Sequence, residues 1–208
     1  MIREIRQGIL FSLVAMALFG GVYPLVLWGI GAAAFRAQAE GSLLRRADGT
    51  LVGSRLIAQA FRRPDYFQPR PSGVDDNAAS AGGTNFGPSN PDHLKAVRAR
   101  LEAIRALDGV DPGEVPAEMV TASGSGLDPD IPPAAALGQA ARVAAARGVP
   151  PDRVRALIDQ HTEPALLGFY GRARVNVLEL NLALDVSFGA PPPDARTGRP
   201  ERRPGDPS

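Results

Sequence analysis

The chain contains no cysteine among its 208 residues. That excludes disulfides, thiol catalysis and cysteine-ligated metals. A folded domain in this chain must rely on its core. Histidine is almost as scarce: only His93 and His161 occur, and no H-E-x-x-H or similar metal spacing is present. No metal site is therefore expected. An excess of one charge is missing too, with 23 basic and 22 acidic residues. A balanced chain carries no nucleic-acid footprint. Lys95 is the single lysine; together with heavy Ala, Arg, Gly and Pro usage, it reflects genome composition rather than function.

What the chain does have is a long apolar run. Residues 7–35, 29 in all, include no charged side chain. At about 1.5 Å per residue this exceeds a hydrocarbon core of about 30 Å. A transmembrane helix over residues 8–34 is the direct reading. A cleaved signal peptide is the rival, and Ala32, Ala33 and Ala34 offer a small-residue cleavage pattern. A signal's apolar region is only about 7–15 residues long, however. Arg3 and Arg6 precede the run and Arg36, Arg45 and Arg46 follow it. A short basic N-terminus usually stays inside while a long C-terminal domain is exported. Ala17 and Gly21 are four apart, as are Gly29 and Ala33. That spacing suits close helix packing, although chance gives the same pattern in so Ala- and Gly-rich a chain. Pro24 should kink the helix near Gly20 and Gly21, and Trp28 suits the outer interface.

The remainder is long enough for one globular domain. Asp48-Gly49 between Leu43-Leu44 and Leu51-Val52 predicts a hairpin with a type I′ turn. Residues 62–90 are rich in turn formers, and so long a loop is usually functional. Leu94, Val97, Leu101, Ile104 and Leu107 mark one apolar face of a helix over residues 91–107. A second helix is expected over 133–147, closed by Gly148. A third runs to Gln160 with Asp152 as N-cap and Val154, Leu157 and Ile158 inward. Residues 175–185 fit a strand by alternation and a helix by content, with Asn176 as cap; the helix is preferred. From Gly189 the composition predicts a disordered tail. The fold class expected is α+β: one N-terminal transmembrane helix, then a single mixed, mainly helical domain with a small hairpin. The divisions fall at 1–7, 8–34, 35–188 and 189–208.

The loop most suggestive of chemistry reads VTASGSGLDPDIPP, residues 120–133. Gly124, Ser125 and Gly126 supply backbone N–H groups, Asp128-Pro129 sets a turn, and Pro132-Pro133 marks a helix start. Free N–H groups and a helix dipole together can hold a phosphate. A Walker motif is absent, so no lysine is placed to reach the terminal phosphates. The competing reading is a tight loop held against its own domain or a partner.

Several longer motifs occur in one order: QAEGSL (38–43), GSRLIAQAF (53–61), YFQPRPSG (66–73), GGTNFGPSNP (82–91), VTASGSGLDP (120–129), RVAAARG (142–148), HTE (161–163) and RVNVLELNLALD (174–185). With Tyr23-Pro24 in the membrane helix, they resemble the C subunit family of the bacterial Kdp high-affinity potassium-transporting ATPase. The resemblance covers nearly all of the chain except the tail. Ala58 departs from the family's glycine, and Asp130-Ile131-Pro132 departs from its histidine-containing continuation.

The resemblance implies a non-catalytic accessory subunit in the bacterial inner membrane, single-pass, with a cytoplasmic N-terminus and a periplasmic domain. It implies as partners a channel-like, potassium-conducting A subunit and a B subunit that is a P-type ATPase, besides the lipid bilayer. The subunit is needed for assembly. The alternative it implies is a catalytic chaperone that binds ATP and raises the ATPase subunit's affinity for it. Ser123, Gly124, Ser125, Gly126 and Asp128 would then contact nucleotide; otherwise they contact a partner. Ala17, Gly21, Gly29 and Ala33 are the helix-packing candidates. No catalytic or metal residue is assigned, and ATP is expected only through the ATPase subunit. A hydrolase with Ser125 as nucleophile would need His161 or His93 as base, and G-x-S-x-G is lacking. His161 near a helix end is read as a carbonyl cap. Carbonyls of the 66–73 and 82–91 loops offer a weak case for potassium contact.

Overall fold

A computed structural model describes residues 1–46 and 48–190. The tail expected to be disordered lies outside the described residues from position 191 onward. The chain divides into two compact units, Met1–Leu56 and a second beginning at Ile57.

The first unit opens with α1 (Ile2–Ala17), a π-helical turn (Leu18–Val22) and α2 (Tyr23–Ala34). These form one helix of 33 residues, with a mean hydropathy of 2.2 over its most apolar 18-residue stretch and no buried residue. An apolar helix of that length fits a membrane span. The π turn lies where Pro24 and two glycines weaken the α-helical ladder. Pro24 has no N–H for the carbonyl four residues back, and Tyr23 N–H instead reaches Leu18 O, five residues back. The helix ends at Phe35, and a single turn, α3 (Arg36–Ala39), follows.

Strands β1 (Leu43–Arg45) and β2 (Leu51–Ser54) form the expected hairpin, antiparallel, with Leu44 opposite Gly53. The turn differs from expectation. Arg46 N–H bonds Thr50 O, and Gly49 N–H bonds Arg46 O. The loop is therefore three residues long, one more than a type I′ turn, with Gly49 in the left-handed region at φ 84°. A turn closed by a left-handed glycine keeps the strand twist as well as the shorter one would.

The second unit contains α4 (Pro91–Asp108), α5 (Ala117–Val120), β3 (Asp130–Ile131), α6 (Pro133–Arg147), α7 (Pro151–Gln160), β4 (Thr162–Glu163), β5 (Arg174–Asn176) and α8 (Val177–Phe188). The three short strands form an antiparallel sheet with β5 in the centre. The core lies among α6, α7, α8 and β5, with Phe67 from the preceding loop fully enclosed. On α6, Ala135, Ala136, Ala140 and Ala144 are buried, and such small side chains let neighbouring elements approach closely.

Segment 175–185 contains both structures considered for it. Arg174–Asn176 is strand, and Asn176 then caps α8 by accepting from Glu179 N–H at 3.1 Å. The cap of α7 is Pro150, not Asp152, which lies within the first turn where its charge still meets the dipole. Val154, Leu157 and Ile158 do face inward. Helix α4 has the expected length, and Asn90 caps it by accepting from Asp92 and His93 N–H. Its apolar face is only partly covered: Leu94 and Leu107 are exposed, and Ile104 half-covered. Of that stripe, Ile104 is the residue that packs against the core among the described residues.

Candidate functional site

The irregular segment 64–68 has neither helix nor sheet partners, yet all five of its carbonyls accept hydrogen bonds from side chains. Arg142 donates to Pro64 O at 2.6 Å and to Tyr66 O at 2.9 Å. Arg147 donates to Asp65 O at 2.7 Å. Asn181 donates to Phe67 O at 2.9 Å and accepts from Phe67 N–H at 2.8 Å. Gln139 does the same for Gln68, at 3.2 and 2.8 Å. Two amide side chains thus replace the strand that would otherwise pair with this backbone, because buried backbone groups must be satisfied somewhere. Arg142 is itself held by Asp108 at 2.6 Å, with both side chains only 6% exposed. Arg147 pairs with Asp185, which also accepts from the Tyr66 hydroxyl. Burial raises the Tyr66 phenol above its ordinary value, and the Asp185 carboxylate adds to the effect.

The glycine loop is fixed onto the far end of this segment. Ser123 N–H donates to Pro71 O at 2.9 Å, and Gly82 N–H donates to Ser125 O at 2.8 Å. Ser72 Oγ donates to Gly126 O at 2.7 Å. Gly126 N–H reaches Ser123, and Leu127 N–H reaches Ser125 Oγ. Gly126 has φ +70°, and a Cβ there would lie 2.6 Å from Val74 Cγ2. A Cβ on Gly83 would lie 2.9 Å from Gly124 O. The glycines therefore permit close backbone contact between two loops. Across residues 123–128 the N–H groups of Gly124, Ser125 and Asp128 have no partner among the described residues, and of these three residues Gly124 and Ser125 are exposed. The loop does not run straight into a helix as predicted. Asp128 Oδ1 accepts from Asp130 N–H, and β3 intervenes before α6.

Beside these loops lies an open groove of about 440 Å³, lined in part by Arg62, Arg70, Asp75, Asp76 and Arg100. Arg70 pairs with Asp128 at 2.8 Å. Arg70 Nε and Asp76 Oδ1 are enclosed and lack hydrogen-bond partners. Burial pushes the Asp76 carboxyl above its ordinary value; Arg62 opposes this and Asp75 reinforces it. Across the sheet, burial also raises Asp130, with Arg174 and Asn176 opposing and Asp128 and Glu163 adding.

The structure gathers Ser123, Gly124, Ser125, Gly126 and Asp128 into one turn. Ser125 Oγ contacts Ser123 Oγ and Leu127 N–H, with neither histidine among its partners. His161 Nδ1 sits 2.9 Å from Leu157 O, the capping role expected of it. Among the described residues no group of three His, Asp or Glu side chains is placed to hold a metal. In the apolar N-terminal helix, a Cβ at Gly21 or Gly29 would meet nothing within 4 Å. The π turn matters for these positions. At about 100° per residue, Ala17 and Gly29 would lie about 120° apart on a regular helix, and the one extra residue of a π turn reduces this to about 20°. The two small-residue pairs then share one face.

Gln139, Arg142, Arg147 and Asn181 were not singled out in the sequence. The signal for Asn181 was present. Val177, Asn181 and Leu184 follow one inward helical stripe, and a polar residue on such a stripe needs a partner.

Residues 5–186 match the family model for the K+-transporting ATPase c chain, KdpC. A potassium-transporting ATPase KdpC subunit of Beijerinckia indica is 48% identical over 190 residues, covering 90% of this chain and 96% of that one. Its counterpart in Variovorax paradoxus is 52% identical over 189 residues, covering 89% and 97%. That of Geobacter sulfurreducens is 49% identical over 187 residues, covering 88% and 98%. With the motif order, the apolar N-terminal helix and this coverage, the chain belongs to the KdpC family of potassium-transporting ATPase subunits.

Proposed function

We propose that the chain is a non-catalytic accessory subunit that stabilises an ATP-driven potassium importer. The helix of residues 2–34 anchors it beside a channel-like, potassium-conducting subunit, with the N-terminus cytoplasmic and the second unit periplasmic. ATP hydrolysis belongs to a separate P-type subunit. The observation that carries this reading is the state of the glycine loop: three of its donors, on Ser123, Gly126 and Leu127, are engaged within the chain. What stays open is a short exposed edge at Gly124 and Ser125, which suits contact with a neighbouring subunit. ATP contact, the alternative, has those two N–H groups as its support and lacks a phosphate-reaching lysine.

Two measurements test this. Cells lacking the chain should lose potassium uptake at limiting potassium and regain it with the full chain, while the purified chain alone hydrolyses no ATP. Turnover of ATP by the chain alone would overturn the non-catalytic reading. Because the chain has no cysteine, Ser125→Cys gives a single reporter of topology. A membrane-impermeant thiol reagent should label it in intact cells with a permeabilised outer membrane. Labelling only after inner-membrane lysis would place the loop in the cytoplasm and revive the ATP reading.

A further inference from the structure

Residues 165–171 form a small hairpin that points its apolar side chains outward. Leu166 and Tyr170 pair through two backbone hydrogen bonds of 2.9 Å. Phe169 N–H returns to Leu166 O at 3.3 Å across a turn whose central residues, Leu167 and Gly168, have φ +57° and +81°. Positive φ at both central positions is the type I′ pattern, which favours Asn-Gly. Here leucine stands where asparagine would be comfortable. A bulky residue held at positive φ is an outlier, and no burial compensates for it. Leu167 is 80% exposed, Phe169 79%, Tyr170 70% and Leu166 66%. The domain thus holds a disfavoured turn that displays four apolar side chains together.

We propose that this tip is a plug, with Leu167 and Phe169 seating in an apolar cleft of a neighbouring subunit of the transport complex. Tyr170 and the exposed Arg172 meet the polar rim of that cleft. The proposal rests on the reading of the chain as an accessory subunit. The composition fits a protein partner, because aromatic residues and arginine dominate interface anchors. Arg172 already reaches Glu118 at 3.1 Å while staying 88% exposed, so it can turn toward an acidic or carbonyl rim. Lipid is the poorer occupant. The carbonyls of Leu167, Gly168 and Phe169 accept no hydrogen bond among the described residues. Hydrocarbon would strand them, whereas a protein cleft can supply donors. A second copy is the poorer partner too: half of the residues lining its large groove are apolar, but three arginines and two aspartates among them would be buried against the tip.

The test places a benzophenone amino acid at position 167 of the full chain and irradiates the assembled complex in native membranes. A covalent adduct with a different subunit is expected. Adducts with lipid only, or with a second copy of this chain, overturn the proposal. In parallel, the double variant Leu167→Asn with Phe169→Ser keeps a turn-compatible residue and removes the apolar plug. It should reduce recovery of the complex in mild detergent by about tenfold, the scale of an anchor's loss, while its own unfolding midpoint does not fall. Equal recovery of variant and wild type, with no subunit adduct, refutes the plug alone. Failure of the wild-type chain to co-purify with any other subunit refutes instead the subunit reading beneath it.

Discussion

The glycine loop at residues 123–128 and the hairpin tip at 165–171 are opposites. The first looks like a ligand cradle in the sequence, yet Ser123 N–H donates to Pro71 O while the carbonyls of Ser125 and Gly126 accept from Gly82 and Ser72, so the loop is tied to its own domain. The second contains no recognisable motif, yet it displays Leu167 and Phe169 to solvent in a disfavoured turn. Glycine at Gly126 relieves a clash between two backbones, whereas leucine at Leu167 introduces strain that no internal contact repays. A loop that fits its own domain well serves the domain. A loop that fits poorly and exposes apolar surface is better explained by something outside it.

If this contrast is right, substitutions on the inward side weaken the fold and one on the outward side strengthens it. Arg142→Met should have the largest effect, a loss of about 3–5 kcal/mol, because it leaves Asp108 as an unpaired buried charge and frees the carbonyls of Pro64 and Tyr66. Chemical unfolding of the detergent-solubilised chain measures it. Asn181→Leu should cost about 2–4 kcal/mol in the same assay, since Phe67 N–H and C=O lose the partner that both have among the described residues. Gly126→Ala should cost about 1–3 kcal/mol through overpacking against Val74 and Gly82. If alanine is tolerated there without loss, the inward account of the glycine loop is wrong.

Leu167→Asn should instead stabilise the isolated chain by about 1 kcal/mol, by relieving a left-handed leucine. A drop in its unfolding midpoint would mean that the tip serves the domain after all. The smallest effect is expected at Asp76. Burial raises its carboxyl in the fold, so the folded state holds the proton more tightly than the unfolded chain. Ionisation then costs stability, and the cost appears as pH rises from the ordinary carboxylate value through the raised one. Asp76→Asn, which keeps a residue suited to φ +56°, should raise the unfolding free energy at neutral pH by less than about 1 kcal/mol. The gain should vanish in acid. A gain that persists at low pH would assign the effect to something other than charge.

Much of the fold was legible because its signals are local. Gly109 and Gly148 stop α4 and α6 in left-handed conformations. Asn176 caps α8, and Val154, Leu157 and Ile158 face the core. Elsewhere the local signal was incomplete. The stripe on α4 marked an apolar face, but a pattern states only that a face is apolar, not how much of it the core covers. Asp48-Gly49 announced a turn without stating its length. The site was less legible still. Gln139 and Asn181 act on backbone 71 and 114 residues away, and no spacing rule reaches that far.

The sequence by itself determined the apolar N-terminal helix, the main helices with their stops, and, through the order of its motifs, membership of the KdpC family. These follow from composition, periodicity and capping, each confined to a few consecutive residues. Only the tertiary structure decided which groups meet. It bound segment 64–68 to the side chains of α6 and α8, turned the donors of the glycine loop inward, and left the Leu167 tip outside. The physical reason is that a backbone hydrogen bond must be satisfied wherever the chain is buried, and which distant side chain satisfies it depends on packing in three dimensions.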